Sequence, residues 1–190
     1  MRGGIQKSPN RAPGSNPARY LTVAHVQRNK ILLSDPRYFE VSPAELERWR
    51  LLTGDVLIIE GNGSADHIGR TALFRGEIEN CVHQNHVIRI RPNPQHIESN
   101  YLNLYLNSPI GQKEVRAQGR TTSGLLSLSV GQINRIKLYL PPLPEQRRIV
   151  AELDALQAKV DALRALQGET ATALAALLPA VLDRAFRGEL

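Results

Sequence analysis

Leu140-Pro-Pro-Leu-Pro-Glu-Gln-Arg-Arg-Ile-Val150 separates two textures of chain, and its reading decides the fold. Pro141, Pro142 and Pro144 stiffen the segment, and Pro144 suits the first position of a helix because its missing N–H would find no partner there. Beyond it, up to about residue 187, Ala, Leu, Glu, Gln and Arg dominate, all good helix formers. Ile149, Leu153, Leu156, Val160, Leu163, Gln167, Thr170, Leu174, Leu177 and Val181 recur at alternating intervals of 4 and 3. That is the 3.5-residue period of a coiled coil or an antiparallel helix pair. A helix over 145–187 would be ~65 Å long at ~1.5 Å per residue, with one apolar stripe in need of a partner. It would otherwise fold back on the preceding domain, but the seam outruns a domain of this size. Gln167, Gly168 and Thr170 interrupt the seam, and a polar layer there would fix register at some cost in stability. Pro179 should kink the helix near Ala175, or end it and begin a second piece.

Upstream of the junction, short β-like runs alternate with turns. Strands are expected at Tyr20–Val26, Val56–Glu60, Gly69–Arg75, His86–Arg91 and Arg135–Leu140. Val56-Leu-Ile-Ile59 is continuously apolar, the signature of a central strand. Ser42-Pro-Ala-Glu45 and Ser129-Val-Gly-Gln132 are capping boxes that open helices, and Ser108-Pro109 opens another. The fold class is therefore α+β: a mixed α/β domain followed by a long C-terminal helix that forms an antiparallel, coiled-coil-like pair.

Charge is distributed unevenly over the 190 residues. The net of +6 divides into +7 over 1–140 and −1 over 141–190, and residues 1–30 carry six basic side chains and no acidic one. Such a surface can simply be solvated, or it can bind a polyanion, most plausibly nucleic acid. A single cysteine, Cys81, excludes an internal disulfide and a Cys-based zinc site. The longest wholly apolar run is about six residues, far below the ~20 that span a bilayer. The N-terminus has no apolar segment of a secretory signal, and the cytoplasm is the default compartment.

No active site emerges, and no cofactor is expected on this chain. Glu60-Gly-Asn-Gly-Ser64 lacks the Lys-Ser/Thr of a phosphate-binding loop, and no dinucleotide-binding fingerprint is present. His83 and His86 have metal-like spacing without a third ligand, so they read as polar or core histidines. Asp55 and Glu60 flank a strand as nuclease carboxylates do, but the lysine that should follow on a neighbouring strand is missing. Cys81 reads as buried and inert.

The polar loops are more informative. Gln84-Asn85-His86 starts a strand where side chains can reach a base edge, and Gln and Asn bond adenine bidentately. Arg120-Thr121-Thr122-Ser123 is a basic, hydroxyl-rich loop suited to phosphate oxygens. Lys7, Arg11, Arg19 and Arg28 belong to the acid-free N-terminal segment and complete the candidate DNA-binding set.

Several stretches together resemble one family, the specificity subunits of type I restriction–modification systems. They are Leu52–Ile58, Gly69–Ala72, Cys81–Ile88, Asn107-Ser-Pro-Ile-Gly111, Thr121-Thr-Ser-Gly124, Leu140–Val150 and Ala185-Phe-Arg-Gly-Glu-Leu190, in the expected order. The resemblance implies a target recognition domain over 1–143 and a conserved spacer helix over 144–190. It implies a non-catalytic subunit that reads a split double-stranded DNA sequence. Modification subunits that methylate adenine with S-adenosylmethionine would dock on it, and an ATP-driven restriction subunit would join for cleavage. A full subunit resembles two such domains and two helices, so this chain is expected to be a natural half-subunit or the C-terminal half of a longer one. As a half-subunit it should form a two-fold homodimer through Ile149, Leu153, Leu156, Val160, Leu163, Leu174, Leu177 and Val181, with no membrane involved. Two other classes remain: a protein–protein scaffold whose basic domain binds an acidic partner, and an enzyme in its own right, a nuclease or methyltransferase.

Overall fold

The computed structural model describes residues 1–6, 8, 12–61, 68–122 and 125–189, leaving aside the side chains of 120–126. The chain divides into two compact units, Met1–Arg147 and Arg148–Leu190.

The first unit is built on β6 (Val56–Ile59), all four residues of which are buried, as expected for a central strand. It is flanked by β9 (Val87–Ile90) and β7 (Thr71–Leu73), with β1 (Arg2–Gly3) beyond β9, in the order β1-β9-β6-β7. Every pairing in this sheet is antiparallel. Side chains alternate faces along a strand, so β6 feeds two cores. Val56 and Ile58 pack with Ile88, Leu102, Leu106 and Val115 on one side. Leu57 and Ile59 pack with Leu21, Phe74 and Cys81 on the other.

A second sheet, β5-β2-β8, is mixed. Strand β2 (Pro17–Leu21) runs antiparallel to β5 (Tyr38–Glu40) and parallel to β8 (Val82–His83). Tyr20 stacks on Phe39 at 3.6 Å between ring centroids, inside a third core. Two hairpins complete the named strands among the described residues: β3 (Val26–Gln27) with β4 (Lys30–Ile31), and β10 (Arg120–Thr122) with β11 (Leu125–Ser127).

The helices begin where the capping residues place them. Ser42 caps α1 (Pro43–Trp49) and Ser129 caps α4 (Val130–Ile133), each with a complete capping box, and Ser108 caps α3 (Pro109–Gln118). One helix, α2 (Ser99–Asn107), was not foreseen. Its sequence Asn-Tyr-Leu-Asn-Leu-Tyr-Leu-Asn mixes polar and apolar residues without a clean helical stripe, and Asn100 and Asn103 are buried in it.

Two expectations need correction. The expected strand Tyr20–Val26 breaks at Thr22, where the backbone turns before β3. Arg135–Leu140 is not a strand. Its carbonyls are bound by tyrosines of α2 instead of a neighbouring strand: Tyr105 Oη donates to Lys137 O at 3.1 Å and Tyr101 Oη to Tyr139 O at 2.7 Å.

Helix α5 (Leu143–Phe186) is continuous and includes Pro179 without a break. Its first turn is fixed by Gln146, which is fully buried. The Gln146 amide donates to His96 O (3.0 Å) and Pro141 O (2.7 Å) and accepts from Glu98 N (2.8 Å). The buried glutamine accounts for one residue of the Pro-Leu-Pro-Glu-Gln run: all three of its contacts are internal. Residues 151–189 are exposed along their length. An 18-residue window of α5 reaches a mean hydropathy of 1.3, enough by length and composition for a bilayer-crossing helix. The short apolar runs therefore do not exclude one by themselves; a coiled-coil stripe on an alanine-rich helix raises hydropathy in the same way.

Candidate nucleic-acid interface

The C-terminal end of β6 organises one edge of the first unit. Glu60 N donates to His86 O at 3.0 Å, and Glu60 O accepts from Leu128 N at 2.6 Å. Gly61 bridges to Ser127. The backbone of Glu60–Gly61 thus joins the Gln84–His86 turn to the β10–β11 hairpin, two groups of candidate residues more than thirty positions apart in the sequence. The N-terminal segment reaches the same place. Ile5 N donates to His83 O (2.8 Å) and Asn85 N to Ile5 O (2.9 Å). Gly4 is required there, because a Cβ would sit 2.1 Å from His83 O, closer than any real contact.

The candidate residues are distributed as follows. Gln84 and Asn85 are half-buried and His86 is exposed, with its Nδ1 3.9 Å from the Glu60 carboxylate. Burial raises the Glu60 carboxyl above its ordinary value, and His86 partly opposes that. Arg120, Thr121 and Thr122 form β10; their side chains, with Lys7, Arg11 and Ser123, lie outside the described residues. Arg19 is not brought to this edge. The parallel register sets Tyr20 beside Val82, which puts Arg19 level with Cys81, and its guanidinium donates to Leu33 O at 2.5 Å. Arg28 lies in the β3–β4 turn, one strand further along, and donates to Gln112 Oε1 at 3.2 Å.

The residues weighed for catalysis have structural partners. Asp55 is buried and holds Arg91 in a two-point ion pair, both contacts 2.7 Å, while also accepting from Leu52 N. Both carboxylate oxygens are occupied, against their use on a nuclease metal. His83 is fully buried; its Nδ1 donates to Val87 O at 2.7 Å, and its Nε2 has no partner among the described residues. Burial pushes its pKa down to about 4. Burial pushes the Cys81 thiol up to about 12, which leaves it protonated and unreactive. Among the described residues no three His, Cys, Asp or Glu side chains cluster as metal ligands.

Two basic residues escaped the sequence reading. Lys113 and Arg116 stand at i and i+3 on α3 and line a cavity together with Arg28. The signal was available: two cations on one face of a helix whose N-cap is plain in the sequence. In the second unit Leu153, Leu156, Val160, Leu163, Leu174, Leu177 and Val181 are all exposed, as is Leu166; Ile149 is half-buried.

Comparison with known proteins matches residues 23–169 to a family described as the type I restriction modification DNA specificity domain. The chain is 28% identical to the EcoKI type I restriction enzyme specificity subunit of Escherichia coli (strain K12) over 191 residues, covering all of this chain and 40% of that protein. It is 29% identical to the StySPI specificity subunit of Salmonella potsdam, covering 92% of this chain and 38% of that one. Among solved structures, a chain from a type I R-M system, reported for its complex assembly and conformational transition, aligns with a TM-score of 0.69 at 26% identity. That alignment covers all of this chain and 43% of the other. The HsdS subunit of Thermoanaerobacter tengcongensis shares the fold with a TM-score of 0.63 at 23% identity, over 82% of this chain and 39% of that one. The chain therefore spans about two fifths of the length of the relatives it matches.

Proposed function

The chain belongs to the type I restriction modification DNA specificity domain family, and from that premise we propose that it is a DNA-reading subunit without catalytic activity of its own. In this reading the first unit recognises one short half-site, and α5 serves dimerisation and the docking of modification subunits. Those partners would methylate adenine with S-adenosylmethionine, and a restriction subunit would cleave.

The observation that carries the reading is the convergence at Glu60–Gly61. One backbone segment brings together the Gln84–His86 turn and the β10–β11 hairpin, with the N-terminal strand alongside. Amide side chains for base edges and a hydroxyl-rich segment for phosphates are then within reach of the same stretch of duplex.

A second copy is the occupant we assign to the exposed seam of α5. Reversing the helix direction about Ala165 pairs Ile149 with Val181, Leu153 with Leu177, Leu156 with Leu174, Val160 with Thr170 and Leu163 with Gln167. The seam is therefore complementary to itself, as an isologous contact demands. The longer relatives, about two and a half times this length, have room for two such units in one chain. A homodimer would present two identical reading edges and recognise an inverted repeat across a fixed gap.

Co-expression with the cognate modification subunit, followed by methylation profiling of the host DNA, tests the proposal. The expected product is one bipartite motif with palindromic halves and a constant spacer. No new methylation, or a motif with unrelated halves, would overturn the homodimeric reading role.

A further inference from the structure

An apolar groove of about 320 Å³ lies on the first unit. Ile90, at the end of β9, and Leu102 and Leu106, on α2, are buried residues that wall it. Ile97, Ile136 and Leu138 also line it, and these three are only half-buried. The groove is neither sealed nor flat, so water rests on its apolar walls unless another side chain covers them.

The segment before α5 carries the groove outward. Tyr105 Oη and Tyr101 Oη bind the carbonyls of Lys137 and Tyr139, two residues apart on one side of the chain, the repeat of extended backbone. Side chains alternate along such backbone, so Leu140 follows Ile136 and Leu138 on the same side and forms the lip. It is 45% exposed. The first turn of α5 adjoins the same wall: buried Gln146 is bound to His96 O and Glu98 N, on either side of Ile97.

The far end of α5 carries a complementary surplus. Leu182 and Phe186 are four residues apart and share a helix face. Neither belongs to the 4–3 seam, so pairing of the seams alone leaves them uncovered. Phe186 is 89% exposed and Leu182 47%. In the antiparallel pairing proposed above, Val181 lies opposite Ile149. Five positions further along, Phe186 falls level with Pro144 of the second copy, in the first turn of its α5. An apolar cavity of roughly 150 Å³ holds a benzene ring, so this groove has room for a phenyl group with a leucine beside it.

We propose that the groove seats Phe186 of a second copy, with Leu182 behind it, so that each first unit grips the end of its partner's helix. The proposal rests on the homodimeric reading above and adds a swapped contact at either end of the seam, two per dimer, as an isologous arrangement requires. A first unit tied to both helices cannot swing about its own, which fixes the gap between the two half-sites.

Sedimentation equilibrium of the full chain provides the first test. F186A should raise the dimer dissociation constant about tenfold for each anchor, about a hundredfold for the two. Phe186 is exposed in the single chain, so the variant should fold. Cross-linking provides the second. The L140C/F186C double variant should oxidise to a covalent dimer through the introduced thiols. L140C and F186C alone should not, because the 44-residue α5 sets the two positions ~65 Å apart at ~1.5 Å per residue. The same length prevents a link within one chain, and Cys81 is buried. Unchanged dimer affinity in F186A, with no cross-link in the double variant, would overturn the groove contact and leave the seam dimer standing. Unchanged dimer affinity with weaker binding of the modification subunit would assign Phe186 to that partner and overturn the groove contact as well. A wild-type chain that is monomeric at micromolar concentration would remove the homodimeric reading and the groove contact together.

Discussion

His83 shows how a side chain with the right chemistry can be excluded by its surroundings. The sequence offered His83 and His86 as a spaced pair, but the fold buries the first and exposes the second. The Val87 carbonyl fixes the His83 proton on Nδ1, and burial holds the ring neutral with a pKa near 4, below its ordinary 6.5. Since the folded pKa is the lower one, protonation favours the unfolded chain. The stabilisation is fully present above about pH 6.5 and is lost as pH falls towards 4. Between pH 7 and pH 5 this single group should reduce the unfolding free energy by about 2 kcal/mol. Urea unfolding at the two pH values measures it, and the H83Q variant should show a gap smaller by that amount. An equal gap in both proteins would mean that other groups set the acid sensitivity.

At the scale of elements, legibility depended on how local the deciding interactions are. The capping boxes at Ser42 and Ser129 were readable because each is closed within four residues. Val56–Ile59 was readable because burial on both faces leaves a continuous apolar run. Arg135–Leu140 misled because its partners, Tyr101 and Tyr105, lie 38 and 32 positions away. The cationic cavity was hidden for a similar reason, since Arg28 and Gln112 are 84 positions apart. Gly111, within the Asn-Ser-Pro-Ile-Gly stretch, acquires its reason only in three dimensions: a Cβ there would come 2.0 Å from Tyr105 O, so α2 and α3 meet closely only with glycine.

The seam of α5 can be written out from the sequence, and its symmetry makes a sharp prediction. In the proposed antiparallel pairing centred on Ala165, Leu166 would lie beside the two-fold axis, close to its own copy on the partner helix. An L166C variant should therefore oxidise to a covalent dimer at low protein concentration, while buried Cys81 contributes nothing. Non-reducing electrophoresis reads the outcome. Efficient cross-linking of L153C to itself, and not of L166C, would indicate a parallel or shifted register.

At the scale of the whole molecule, the chain spans about two fifths of the length of the relatives it matches, and in the proposed homodimer a second copy would present a second, identical reading edge. That makes the reading edge testable through its products. Substituting Gln84 or Asn85, for example N85S, should change the methylated motif in both halves at once and leave the spacer untouched. It should also leave the slope of duplex affinity against salt nearly unchanged. Sequencing the methylome of cells carrying the variant provides the check. A change in only one half would contradict the two-fold arrangement.

The mirror relation within α5's apolar edge also bears on how such a reader evolves. Each mismatched base pair costs roughly 1–3 kcal/mol, and in the proposed homodimer a coding change in the reading edge would be spelled twice on the DNA, doubling its energetic consequence. Preference would then not drift one arm at a time: the recognised word would have to stay its own reverse complement, and new words would arise in large, discrete steps.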